Sequence, residues 1–119
     1  PGMIGSRNGT GIMYEFKHHG LNSAFRKNGL QKFIPFIDLT KKLVLPEKID
    51  LLKCDIEGSE LNFIENYPDI LSKTRIAVFE FHPELCDYKK CIALLAKNGF
   101  ARKKILQRYE HGSVEEFQR

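Results

Sequence analysis

No segment of this 119-residue chain has the ~20 consecutive apolar residues that a membrane-spanning helix needs, and none reads as a signal peptide. A membrane partner is therefore not expected. Cys-x-x-Cys pairs are missing too, which argues against a zinc site built on Cys54, Cys86 and Cys91. Three cysteines leave one unpaired in any scheme, and Cys54 falls in an apolar strand pattern. Free thiols in a reducing, cytoplasmic setting are the expectation. Long basic runs are absent: Lys41-Lys42, Lys89-Lys90 and Arg102-Lys103-Lys104 are short and scattered. The formal charge of +4, from 19 basic and 15 acidic residues, suits anions in general without pointing to nucleic acid, so no nucleic-acid partner is expected. Finally, Gly5, Gly9 and Gly11 have the spacing of neither the dinucleotide fingerprint nor the phosphate-binding loop, and a strand rather than a helix follows them. They read as a hairpin turn centred on Asn8-Gly9.

What is present is a globular composition, 42% hydrophobic and 29% charged, of a size for one domain over residues 1–119. The chain starts at proline with a turn as its first feature, which suggests a piece of something longer. Gly11 to Phe16 predicts a short strand. His18 and His19 are adjacent, point to opposite sides of an extended backbone and should not share a metal. Leu21 to Leu30 predicts at most a short helix ended by Asn28-Gly29. Lys32 to Asp38 is β-rich, but Pro35 has no amide donor, which predicts an edge strand or an irregular point in the sheet. Leu39 to Leu45 is a short helix or turn stopped by Pro46.

The most informative stretch is Ile49-Asp-Leu-Leu-Lys-Cys-Asp-Ile-Glu-Gly-Ser-Glu60. It reads as a strand that ends at a carboxylate and turns through glycine into a helix with Leu61, Ile64 and Tyr67 inward and Pro68 closing or kinking it. A second apolar strand, Ile76 to Phe81, ends in Glu80, His82 and Glu84. The interval between the two is long enough for a helical crossover, so they should lie parallel, the second covered on both faces. Asp87 should cap the next helix, Asn98-Gly99 should stop it, and Phe100 to Gln107 should be a strand. The polar tail from Arg108 frays or forms one last short strand. The order of elements is that of the second half of a doubly wound α/β sheet, whose ligand chemistry gathers at the carboxyl ends of its strands. Asp55, Glu57, Glu80 and His82 are accordingly the candidate catalytic residues.

Four blocks, in order, carry a family resemblance. Asp50-Leu-Leu-Lys-Cys-Asp-Ile-Glu-Gly-Ser-Glu60 resembles the signature of FkbM-type methyltransferases. Phe33-Ile-Pro-Phe-Ile-Asp-Leu39 resembles the strand before it, Ile76-Ala-Val-Phe-Glu-Phe-His82 the strand after it, and Ile4-Gly-Ser-Arg-Asn-Gly-Thr10 an earlier turn of that family. The resemblance spans residues 4 to 106. It implies the carboxyl-terminal half of a Rossmann-like, doubly wound domain of the class I methyltransferase type, with the amino-terminal cofactor-loop half absent. It further implies S-adenosylmethionine as cofactor and O-methylation of a small-molecule or sugar hydroxyl. Asp55 would be the base or the residue that fixes the cofactor, and Glu57 would face the acceptor. Glu80 and His82, two apart on a strand, would form a base and its orienter.

Other readings accompany each of these. Asp55 could instead cap the following helix and Glu57 favour its positive end. Glu80 and His82 could be a polar pair at the sheet's rim, and Lys53 should only project its ammonium outward. The four residues would suit a divalent ion, but no tight ligand motif accompanies them and no metal is assigned. Asp55-Ile-Glu57 also resembles the metal-binding Asp-x-Asp type motif of glycosyltransferases, the alternative enzyme. The non-catalytic alternative is a truncated domain that pairs with another chain, as a homodimer or with its missing amino-terminal half.

Overall fold

The computed structural model describes residues 3–4, 10–15 and 30–119. Strands β1 (Met3–Ile4), β2 (Thr10–Glu15) and β3 (Leu30–Ile37) form a sheet in the order β1-β3-β2, with β3 parallel to β1 and antiparallel to β2. Pro35 therefore lies in the middle strand and not on an edge. The register explains how this is tolerated. The β2 ladder ends at the Thr10–Pro35 pair and the β1 ladder starts one residue later at Phe36, so the missing donor falls where one ladder gives way to the other. Strands β1 and β2 are not paired with each other, as a simple hairpin would require. The Asn8-Gly9 turn itself lies outside the described residues, as do Gly5, His18, His19 and the segment 21–29. Helix α1 (Leu39–Lys42) starts at Asp38, whose carboxylate accepts the Thr40 N–H at 3.0 Å.

The rest is an α/β unit on a mixed sheet. Strands β4 (Ile49–Cys54), β5 (Thr74–Phe81), β6 (Ala101–Tyr109) and β7 (Gly112–Gln118) run in the order β4-β5-β7-β6. Strands β4 and β5 are parallel, in register from Ile49–Thr74 to Cys54–Phe79, as the crossover length predicts. Strand β7 lies antiparallel between β5 and β6. The crossover is two helices, α2 (Glu60–Asn66) and α3 (Pro68–Lys73), and α4 (Tyr88–Lys97) follows β5. Pro68 neither kinks nor simply closes a helix. It opens α3 as its first residue, where a missing N–H costs nothing and the fixed φ already suits a helix.

One face of this sheet carries the core. Ala77, Phe79 and Phe81 of β5, Cys54 of β4 and Phe117 of β7 pack with Phe63, Ile64, Tyr67, Ile70, Leu71, Cys91 and Leu95 from the helices. Each buried Phe, Ile or Leu among them contributes about 1.5–3 kcal/mol of transfer free energy. Ring pairs tie the layers together: Phe63 sits 6.4 Å from Phe79, and Phe81 meets Tyr88 edge-on at 5.2 Å. Phe63, not Leu61, is the more deeply buried α2 residue. The opposite face of β5 differs from expectation, since Ile76, Val78 and Glu80 are only half-buried and Leu51 on β4 is exposed. An apolar run reads as two-sided cover. Here the helices among the described residues lie on one side.

Helix α4 is bounded as its sequence dictates. Asp87 accepts the Lys90 N–H at 3.0 Å. At the other end Gly99, at φ 85°, donates to Ala96 while Phe100 donates to Leu95, and the Phe100 and Leu95 side chains both enter the core. The tail does not fray: it is β7, and Phe117 is 1% exposed. No helix among the described residues is long and apolar enough to cross a membrane.

Candidate active site

Because β4 and β5 are parallel neighbours, their carboxyl ends open into one crevice. Strand β4 stops at Cys54, and the chain turns through Asp55-Ile56-Glu57-Gly58 with a Ser59 N–H to Ile56 carbonyl bond of 3.2 Å. Glu57 (φ 51°) and Gly58 (φ 96°) are consecutive left-handed residues. Glycine takes that conformation freely, whereas a glutamate held there is locally strained. Among the described residues Glu57 is the one non-glycine with positive φ.

The centre of the site is a residue that sequence reasoning left in the helix. Glu60 is the first residue of α2 and is fully buried. Its Oε1 accepts the Gly58 N–H at 3.0 Å and lies 3.2 Å from Nδ1 of His82. Burial pushes the Glu60 carboxyl up, but these bonds and the imidazole outweigh it and leave the group below its usual range. Its other oxygen, Oε2, is buried with no hydrogen-bond partner. The acid that favours the amino end of α2 is therefore Glu60, while the capping serine, Ser59, makes no side-chain cap bond.

His82 stands just past the end of β5 and is 6% exposed. Its carbonyl accepts the Leu85 and Cys86 N–H groups at 2.8 and 3.0 Å, which fixes the backbone around it. The hydrogen bond to Glu60 raises its pKa against the opposing effect of burial, and Glu57 and Glu80 add to the rise. With Nδ1 turned to Glu60, Nε2 faces the crevice, 3.7 Å from Glu57 Oε2 and 4.0 Å from Glu80 Oε1, both beyond hydrogen-bond reach. His82 and Glu80 do approach each other, but the group that orients the imidazole is Glu60.

Asp55 is exposed and does not cap the helix; it pairs with Lys53 at 3.3 Å. Lys53 thus has a partner at the rim, beyond the simple outward projection expected of it. One ligand atom each from Asp55, Glu57 and His82 lies within 4.8 Å of the others. Glu80 accepts a bond from the Tyr109 hydroxyl, whose pKa is pushed well up by burial and by Glu80. Tyr109 also lines a groove of about 340 Å³ with Pro83, Glu84, Tyr88, His111 and Glu115. Glu84 points away from the four, into a 2.9 Å contact with His111.

The sequence model of the methyltransferase FkbM domain matches residues 18–112. The chain belongs to the FkbM methyltransferase domain family. Three of the four blocks that resemble the family lie inside the match, and Ile4 to Thr10 falls before it. No similar curated protein and no similar solved structure was found. Within this FkbM domain, Asp55, Glu57, Glu80 and His82 come together in one crevice. Glu60 and Tyr109, which hold His82 and Glu80, were legible only as an acid at a helix start and as part of the polar tail; Tyr109 in fact ends β6.

Proposed function

We propose that this chain is the acceptor-side, carboxyl-terminal part of an S-adenosylmethionine-dependent methyltransferase domain of the Rossmann-like, class I type. It acts on a hydroxyl oxygen of a small molecule or sugar. The observation that carries the proposal is the orientation of His82: one nitrogen is tied to a buried carboxylate and the other is aimed at Glu57 and Glu80, with Asp55 close by. The donor set suits a ligand that is cationic or rich in hydroxyls, since Asp55 and Glu57 offer carboxylate oxygens to an ammonium or to a ribose hydroxyl. When bound, the cofactor supplies an electrophilic methyl on a sulfonium.

The chain's own residues then have three tasks. Asp55 and Glu57 orient the two reactants at the ends of β4 and β5, and orientation alone lowers such a barrier by several kcal/mol, up to about 7–11. The acidic crevice receives the acceptor's proton, with Asp55 the exposed base. His82, held by Glu60, holds the acceptor oxygen in place. The groove shared through Tyr109 is the acceptor's approach. The cytoplasm is the proposed compartment, and the free cysteines are in keeping with it. Residues 1–119 are treated as one partial domain completed by upstream residues or by a second copy.

Calorimetric titration of S-adenosylhomocysteine tests this, into this chain and into a protein extended upstream. Saturable heat from the extended protein, weakened by Asp55→Asn, supports the proposal. Saturable heat from the short chain as a dimer supports completion by a second copy. No heat from either protein overturns it.

A further inference from the structure

The crevice has a feature that a proton-transfer site does not need. His82 is more than nine-tenths buried, yet its Nε2 makes no hydrogen bond and is directed at two carboxylates. Its other nitrogen is clamped by Glu60, which is itself fully buried and held by the Gly58 N–H. That arrangement, a carboxylate fixing one ring nitrogen and so aiming the other, is how proteins prepare a histidine to bind a metal ion, which displaces the proton of the aimed nitrogen. Opposite Nε2 stand Asp55 and Glu57, with donor atoms of all three residues within 4.8 Å of one another.

The geometry points to a divalent-cation site formed by Asp55, Glu57 and His82, with Glu60 as the positioning residue behind the imidazole. Two carboxylates and one imidazole favour a first-row ion such as Mn²⁺ or Zn²⁺ over Ca²⁺, which takes oxygen donors alone. Donor distances near 2.0–2.2 Å require the three groups to close around the ion. His82 is rigid and supplies the anchor. Asp55 is exposed, and half-buried Glu57 already lies 3.7 Å from Nε2, so the shifts needed are short. Asp55 would exchange Lys53, an exposed partner at 3.3 Å, for the ion, and an exposed pair of that kind is worth little. Three protein donors leave positions open on the ion for a hydroxyl or water of the acceptor, which the ion would polarise. Glu80, occupied by Tyr109, stays outside the set. This role for the acceptor rests on the methyl-transfer reading; the ion site itself does not.

The test is a titration of Mn²⁺ alone into the chelator-treated chain, followed by calorimetry and by the loss of the free-ion electron-spin resonance signal. Mn²⁺ is chosen because it prefers oxygen and imidazole donors to the thiols of Cys86 and Cys91. One saturable ion per chain is expected, weakened at least ~10-fold in Asp55→Asn and in Glu57→Gln and unchanged in Asp50→Asn. All three substitutions are isosteric, and far-ultraviolet spectra establish that the variants fold. No saturable binding up to millimolar Mn²⁺ overturns the inference, as does binding that both site variants leave intact. The S-adenosylhomocysteine titration reports separately. Mn²⁺ binding without it upholds the ion site and removes methyl transfer, and the converse removes only the ion site.

Discussion

Replacing Glu60 with alanine should be among the most damaging single changes in the second sheet unit, and its cost should depend on pH in a defined way. The substitution removes two hydrogen bonds, from the Gly58 N–H at 3.0 Å and with His82 Nδ1 at 3.2 Å, and opens a space at a fully buried position. It also takes from buried His82 its hydrogen-bonded counter-charge and leaves only Glu57 at 3.7 Å and Glu80 at 4.0 Å. Removing one partner of a buried pair costs about 3–5 kcal/mol. Glu60→Gln keeps the volume and one acceptor, so about 1–3 kcal/mol is expected, the scale of a charge-assisted bond. The exposed pair Arg75–Asp50, at 3.4 Å, supplies the control, and Asp50→Ala should cost less than about 0.5 kcal/mol. Glu60 titrates below its ordinary 4.5 in the fold, so its contribution is present above that value and is lost as pH falls through the lowered one. His82 titrates above its ordinary 6.5, so its contribution is present below that value and is lost as pH rises through the raised one. The gap between wild type and Glu60→Ala should therefore be widest between pH 4.5 and 6.5 and narrow on both sides. Urea unfolding across that range, in the presence of chelator, measures it. A gap below about 0.5 kcal/mol, or one flat with pH, would refute the pairing.

Three further outcomes follow from packing and hydrogen bonding. Gly112→Ala would place a methyl 2.2 Å from the Phe81 carbonyl, so it should destabilise by at least about 1–3 kcal/mol or prevent folding, and an unchanged urea midpoint would contradict the β5–β7 register. Tyr88→Phe removes a hydroxyl that donates to buried Glu115 at 2.9 Å, but Ser113 at 2.7 Å and Arg102 at 3.3 Å remain. A loss of about 1–2 kcal/mol is expected, and a loss under about 0.3 kcal/mol would mean the remaining partners suffice. Pro68→Ala should lower stability by only about 0.4–1 kcal/mol, through the freer unfolded chain, because Pro68 opens α3 without strain; a larger thermal shift would point to a lost packing role.

Much of the second unit was legible because its signals are local. The β4 and β5 runs, the Asp87 cap and the Asn98-Gly99 stop each depend on a few neighbouring residues, and all hold. The gathering of Asp55, Glu57, Glu80 and His82 was readable for a related reason, since two parallel strands of known crossover length must end together. What escaped depends on contacts distant in sequence. Glu60 looks like any acid in a first helical turn, and only the fold brings it to a histidine twenty-two residues on. Glu115 falls in the polar tail, yet it is 2% exposed because Tyr88, Ser113 and Arg102 satisfy it from three different places. Pro35 and Pro68 were read by what proline forbids, and each sits where the forbidden bond was not needed.

The position of β7 has a consequence for how the chain is made. It follows β6 in sequence but lies between β5 and β6 in space. As the polypeptide leaves the ribosome, the side of β5 that will pair with β7 stays open until Gly112 to Gln118 have emerged. Phe79 and Phe81 wait meanwhile without Phe117, the ring that closes over them at 6.2 and 6.0 Å. A nascent chain stalled anywhere before Val114 presents a greasy, hydrogen-bond-hungry border, the kind of surface that chaperones hold and that neighbouring chains join. This border of β5 thus closes only after β6 and β7 have both been made, and it needs shielding until then.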